Sequence, residues 1–570
     1  MLSHFVRAGL AAGAFLLSLV SPAADTAVTF TDVSAGSGID LVNVSGDPDA
    51  DFILDSAGNG AAFFDYDNDG RLDVLVTNGS TRERLAAGGG VMAALYHNDG
   101  QGRFSDVTAT SGLDRRRGWG MGTCVADYDN DGFQDVYLTA LGADVLWKND
   151  GDGTFTDVTA RAGIADARWG TSCAFGDYDR DGHVDLYVAN YVRFDERTIP
   201  ARGAAAQCRF MATNVFCGPN RLAGDADVLY RNSGDGTFVD ATRRAGITDP
   251  DAYGFGVVFA DVNDDGWPDV YVANDSVANL LFRSRGDGTF VEEGLLAGVA
   301  LSGDGRAQAG MGVDAGDYNG DGLLDLVVTN FSHDHTALYE NGPAGAFTDV
   351  SYASGVAATA GPYLGWGVGL VDADNDGRLD LFIANGHVYP DVDRHGLGTR
   401  YRQAKQLFHN AGRRLTPIAA APGSALSVER SSRGAAFGDY DNDGDRDVVV
   451  VNMNDRPTLL RNDTVTANHG ITIRLAGTKS NRDGIGAKVL IQAGGRRQRT
   501  EVRGDGSYIS HSDIRAHFGL GAARAVDRLE IRWPSGVVDT ANNLAADRFY
   551  VAREGQGVQP ETAGSGRAGQ

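Results

Sequence analysis

The sequence predicts an all-β fold: a seven-bladed β-propeller followed by a small β-sandwich or barrel domain. Three observations predict it. The pattern D-x-[DN]-x-D-G-x-x-D occurs seven times between Asp65 and Asp447. Short β-rich segments with hairpin turns flank each copy. One spare strand motif, Phe30 to Ser34, stands before the first repeat, where a ring would need it.

Each nine-residue loop reads as a site for a hard cation. The ligand positions are Asp65, Asp67, Asp69 and Asp73 in repeat one, and Asp127, Asp129, Asp131 and Asp135 in repeat two. Repeat three has Asp177, Asp179, Asp181 and Asp185; repeat four has Asp261, Asn263, Asp265 and Asp269. Repeat five has Asp317, Asn319, Asp321 and Asp325; repeat six has Asp372, Asp374, Asp376 and Asp380. Repeat seven has Asp439, Asp441, Asp443 and Asp447. Oxygens at positions 1, 3 and 5 converge when the backbone turns at the Gly of position 6, and the Asp at position 9 closes the shell. A metal-free Asx turn is the plain alternative. Three or four carboxylates per loop repel one another without a cation, so up to seven Ca²⁺ are expected. Mg²⁺ keeps its waters and suits such a cage less well.

Around each loop the repeat continues. A small-residue apolar segment precedes it, as in Gly60 to Phe64. A β-rich segment follows, as in Leu72 to Thr77, then a Leu-Tyr-x-Asn strand such as Leu95 to Asn98. A Gly-rich turn leads to Phe-x-Asp-Val-Thr at Phe104 to Thr108. That is four strands per unit. Repeat seven ends at Asn462 without the Phe-x-Asp-Val segment, so Phe30 to Ser34 is expected to complete its blade. The propeller is assigned to residues 28–465 and the C-terminal β-domain to 466–553, with 554–570 as a disordered Gly- and polar-rich tail.

The formal net charge is -26 with 42% hydrophobic residues, too apolar for a disordered acidic chain and too acidic to favour nucleic acid. From Thr466 to Arg553, however, 14 Lys or Arg stand against 8 Asp or Glu. This basic module is expected to dock on the acidic propeller or to hold an anionic glycan. Residues 1–23 read as a signal peptide, with Arg7, an apolar Ala8 to Val20 and a cut after Ala23. A secreted, periplasmic or extracellular monomer follows, with no membrane span after cleavage. Cys208 and Cys217 are expected to pair within one loop, while Cys124 and Cys173 could pair across neighbouring strands or stay as buried thiols.

The loops resemble the FG-GAP or VCBS-type repeats of integrin-like propellers. The motifs Asn481 to Ala487, Arg503 to Tyr508, His517 to Gly521 and Ile531 to Gly536 resemble an ASPIC/UnbV domain, and Asn385 to Pro390 resembles a propeller motif found with it. Together they are similar to the cartilage acidic protein/UnbV-like family over about residues 28 to 553. Ile514 departs from that pattern, where Pro is common. The resemblance implies a secreted calcium-binding propeller and no established reaction.

The long insertions, about 79–94, 191–228 and 386–406, fall on the face opposite the acidic loops. Loops on a rigid scaffold commonly carry function. Trp119, Trp169, Tyr253 and Trp366 open the inner strands near that mouth, either as a stacking platform for a ligand or as packing between blades. The His333-Asp334-His335 run lacks a third metal ligand, and the RGD tripeptides at Arg285 and Arg503 follow from a Gly- and Asp-rich composition. No nucleophile-base set, phosphate loop or dinucleotide fingerprint is present, so no catalytic residue is assigned. The expected role is an extracellular binding or adhesion module for a glycan or protein. A polysaccharide-active enzyme working on the insertion face and a purely structural cell-surface protein are the alternatives.

Overall fold

The computed structural model describes residues 28–561 apart from 206–207, 212, 249–251 and 422. The expected signal peptide therefore lies outside the described residues. Among the described residues, seven four-stranded antiparallel sheets form the N-terminal body. Blade one consists of Ala61–Phe64, Asp73–Thr77, Ala93–Gly100 and Arg103–Asp106. Blades two to six repeat that order from inner strands beginning at Gly120, Gly170, Gly254, Gly310 and Gly365. Blade seven uses Ser432–Gly438, Asp447–Asn452 and Thr458–Asn462, and its outer strand is Phe30–Asp32. The seven inner strands neighbour one another in cyclic order, and the last packs against the first. Pairing of Phe30 with Asn462 thus closes the ring with strands from both ends of the propeller.

Side chains repeated in six of the seven blades stitch the ring together. The Asn of the Leu-Tyr-x-Asn strand donates to a loop carbonyl of the preceding blade: Asn149 to Tyr66, Asn232 to Tyr128, Asn341 to Val262 and Asn410 to Tyr318. Asn98 reaches Tyr440 O at 2.8 Å and so joins blade one to blade seven. Cys124–Cys173 adds a covalent link between the inner strands of blades two and three, with Cα atoms 5.7 Å apart. Of the two readings of this pair, the disulfide is the one observed. Cys208–Cys217 pairs within the long blade-three insertion, as expected.

The C-terminal unit is a sandwich of two four-stranded sheets around Ile473, Val489, Leu529, Ile531 and Trp533. The tail expected from 554 onward is in part structured. Gly557–Pro560 pairs with Arg548–Arg553, and Glu554 accepts the amides of Thr478, Lys479 and Ser480. A Gly-rich composition concealed a hairpin whose turn is held by one carboxylate. Residues 562–570 lie outside the described residues.

One segment of the sandwich enters the propeller's central channel. Inner strands of a propeller face the channel with amides that have no ladder partner. Residues 505–513 supply acceptors around the ring. His511 O accepts from Phe63 N, Ile509 O from Thr123 N, Asp505 Oδ2 from Phe259 N and Ser507 O from Val313 N. Ser507 Oγ accepts from Val368 N and Ser512 Oγ from Phe437 N. Glycines make the room: a Cβ on Gly60 would stand 1.7 Å from Ile509 O, and one on Gly434 2.5 Å from Ser510 Oγ. Tyr508 is fully buried, packs on Trp366 and Phe255 at ring distances of 4.6 and 5.4 Å, and donates to Ala57 O. The Arg503-Gly-Asp505 tripeptide belongs to this plug. Arg503 binds Asp314 and Asp505, both largely buried, so it offers no exposed recognition loop.

Tyr508→Ala should lower stability by about 3–5 kcal/mol, the usual range for emptying a buried aromatic site. Calorimetry should show propeller and sandwich unfolding in one transition that shifts as a whole. The Cys124→Ser/Cys173→Ser double variant reopens a loop of 49 residues and should cost about 2–4 kcal/mol. An unchanged melting temperature would mean that the ring needs no covalent clamp.

Candidate metal centres and the faces of the propeller

In every loop the position-1 carboxylate folds the turn. Asp65 accepts from Asp69 N at 3.0 Å and Gly70 N at 2.8 Å. Asp127, Asp177, Asp261, Asp317, Asp372 and Asp439 accept the same pair of amides. Gly70 takes φ +88° at position 6, a region open to glycine without strain. Position 9 starts the second strand and is buried in all seven blades. Asp73 accepts from Tyr66 N and Asn98 N, tying the loop to the third strand. Asp135, Asp185, Asp269, Asp325, Asp380 and Asp447 do the same with Asn149, Asn232, Ser284, Asn341, Asn410 and Asn462.

These carboxylates converge. Ligand atoms of Asp65, Asp67 and Asp73 lie within 4.8 Å of one another, as do those of Asp127, Asp129 and Asp135, of Asp177, Asp179 and Asp185, and of Asp372, Asp374 and Asp376. The donor set fits a hard cation on a specific observation: Asp129 Oδ1, Asp179 Oδ1 and Asp441 Oδ1, all at position 3, are buried with no hydrogen-bond partner. The second oxygen of Asp129 is taken by Lys148, and that of Asp179 by Arg231. The free oxygen is therefore the one left for an ion. At the same position in loops four and five, Asn263 turns its amide to Asp265, and Asn319 Nδ2 is buried without a partner.

Burial raises the carboxyl groups of the loops, and neighbouring carboxylates add to it. Burial lifts Asp65 to about 7 with Asp73 adding to it, and burial lifts Asp177 to about 7. Asp269 and Asp325 rise to about 8, again chiefly by burial. Asp127 is raised by burial and then by Asp483, a carboxylate that the C-terminal domain brings against loop two. His97 is held up at about 9 by the Asp73 carboxylate 3.4 Å away, and His409 likewise by Asp380 at 3.3 Å.

Position 4 also matters, and the repeat pattern left it unassigned. Asn68, Asn130, Asn375 and Asn442 adopt positive φ and donate to the position-6 carbonyl of the next blade. Asn442 to Gly70 O closes that ring too. The recurrent Asn-Asp-Gly within the loops was the available signal.

The C-terminal domain docks on this loop face. Lys488 binds Asp261 and Asp264, Arg482 N donates to Asn130, Arg515 Nη2 to Asp439 O, and His517 faces Asn375. Docking on the acidic propeller, one of the two readings of its positive charge, is observed. The opposite face carries a cavity of about 400 Å³, framed by the disulfide loop around Phe210 and Phe216 and by Tyr191, Trp366 and Tyr389. Of the four expected platform residues, Trp366 lines this cavity. Trp119 and Trp169, each 1% exposed, and Tyr253, 7% exposed, pack in the cluster beneath it, because long insertions cover the inner-strand ends. His335 of the His-Asp-His run is buried against Asp349 and Tyr352.

A model of FG-GAP-like repeats matches residues 65–138, 127–188, 213–272, 261–328 and 317–383, together just over half of the chain. The chain belongs to the FG-GAP-like repeat family. An ASPIC and UnbV model matches residues 477–559 of this FG-GAP-like repeat protein, the docked sandwich. Cartilage acidic protein 1 of Mus musculus is 28% identical over 305 residues, covering 52% of this chain and 44% of that one. The Homo sapiens protein of that name is 29% identical over 282 residues, covering 48% and 40%. The chain thus spans less than half the length of these curated relatives. Among solved structures, an Agrocybe aegerita lectin described as recognising non-reducing terminal N-acetylglucosamine has 15% identity and a TM-score of 0.37, covering 65% of this chain and 84% of the lectin. A rhamnogalacturonan lyase has 13% identity and a TM-score of 0.36, covering 72% of each chain. Likenesses at that level say nothing about a ligand. Among the described residues no helix is long and apolar enough to cross a membrane.

A pH dependence follows for the FG-GAP-like repeats. With divalent cations chelated, the folded state holds protons on loop carboxyls that the unfolded chain releases near 3.8. The folded state then binds more protons, so stability falls as pH rises from about 4 to about 8. The chelated protein should melt at a higher temperature at pH 5 than at pH 8, and a bound cation should remove that fall. A chelated melting temperature that rises over this window would refute the protonation of these buried carboxyls.

Proposed function

We propose that this chain is an extracellular, calcium-stabilised binding module for a glycan or a protein segment. The unpartnered position-3 oxygens of Asp129, Asp179 and Asp441 carry the calcium reading. The surrounding carboxylates and carbonyls offer the all-oxygen shell that Ca²⁺ fills more readily than Mg²⁺. The ion would lock loop to blade and supply no reaction chemistry. Two disulfides and relatives named cartilage acidic protein support an oxidising, extracellular setting.

Ligand binding belongs to the cavity on the insertion face, where aromatic side chains and a few polar groups converge on rigid strands. Asp275 lines it, accepting from Tyr191 at 2.5 Å through one oxygen and from Ser276 at 2.8 Å through the other. With both oxygens engaged by neighbouring hydroxyls, Asp275 is a fixed polar point for orienting a ligand in the binding role proposed here.

Calcium chelation should lower the melting temperature by many degrees, calcium should restore it, and magnesium at equal concentration should restore less. Calorimetry that finds no calcium uptake would end the ligand reading. For the cavity, the calcium-loaded chain should retain a ligand from a glycan array or an extracellular-protein panel. Tyr389→Ala should abolish that retention at unchanged calcium content. Asp334 also lines the cavity, and retention that survives both Tyr389→Ala and Asp334→Asn would move the site elsewhere.

A further inference from the structure

A second cavity, of about 350 Å³, lies on the other face, between the sandwich and the loops of blades five and six. Its sandwich wall is the edge strand Arg496–Glu501, and its propeller wall includes Asp314, Asp317 and Asp372. The charges on these walls are unequally engaged. Asp314 is bound by Arg503, and Asp513 by Arg446 and Arg515. Asp317 and Asp372 accept the amides of their own loops. The arginines of the edge strand are less satisfied. Arg496 donates to the carbonyl of Asp376, and neither it nor the exposed Arg497 forms an ion pair among the described residues. Arg499 is only 8% exposed. Its Nη1 donates to Gly322 O and lies 3.3 Å from Asp264, but Nε and Nη2 have no hydrogen-bond partner. Glu501 stands 3.9 Å from Nη2, beyond hydrogen-bond reach.

A buried guanidinium with two unused donors on one edge is costly unless an acceptor meets it. That edge has the planar fork that pairs with oxyanions. We propose that this interdomain cleft is an oxyanion site, in which Arg499, with Arg496 and Arg497, takes a sulfate-type group, either free or carried on an acidic sugar. This site is separate from the insertion-face cavity, so it stands or falls independently of the ligand proposed there. Cations in loops five and six would neutralise Asp317 and Asp372 and deepen the positive field in the cleft.

The test uses the full calcium-loaded chain and isothermal titration at constant ionic strength with three probes: inorganic sulfate, a monosulfated disaccharide and its unsulfated parent. One saturable site is expected for sulfate, and Arg499→Gln should weaken it at least about tenfold. Arg497→Gln alters an exposed side chain, leaves the fold intact and should weaken it severalfold, so the test survives if Arg499→Gln folds poorly. Tighter binding of the sulfated disaccharide than of sulfate would assign a sugar-borne group, and the reverse a free anion; both support the site. Equal binding of sulfated and unsulfated disaccharide, or sulfate binding unchanged in both variants, overturns it.

Discussion

The architecture rests on a buried carboxylate at the start of each second strand. Asp73 and its six counterparts sit where solvent cannot reach, and each receives amides from the acidic loop and the third strand. Such a group is tolerated only when its acceptors are filled. Filling them fixes where the loop ends, where the strand begins and which backbone runs beside it. The third-strand Asn then spends its own amide on the preceding blade. Loop geometry, blade geometry and ring closure are therefore one network, and the convergence of carboxylates that suits a cation is a by-product of how each blade is pinned.

The two faces have divided tasks. The loop face is crowded with acidic groups and covered by a basic sandwich, which supplies Lys488 and Arg515 and even adds Asp483 to loop two. The insertion face stays open around an aromatic cavity. Tyr508 connects them: it leaves the sandwich, fills the channel and lies under Trp366, which lines that cavity. The floor of one face is thus supported from the other.

How much of this the chain displays depends on where the interacting residues lie. Each acidic loop holds its candidate ligands within nine residues, so a local pattern was sufficient for it and for the blade built on it. The closing strand was legible because Phe30 to Ser34 repeats a motif that blade seven lacks. The plug was not. Ile509 and Ser510 meet partners 337 and 449 residues away, and nothing local marks those contacts. The same holds for Trp119 and Trp169, whose spacing placed them near the mouth but could not show what covers them. Cys124–Cys173 needed the lateral register of two blades, which repeats alone leave open.

The plug also has a consequence for the order in which the chain is made. During synthesis the N-terminal parts of a chain become available first. The strand Phe30–Asp32 emerges early and must wait for Asn462, since Thr29 and Thr464, which bond beside it, lie 435 residues apart. Even then the ring stands around a bore unfilled by protein, its inward amides left to water, until residues 505–513 follow. The nascent protein thus passes its whole propeller stage unfinished at the centre, and a chain interrupted before the last domain would be complete in outline yet unsealed along its axis.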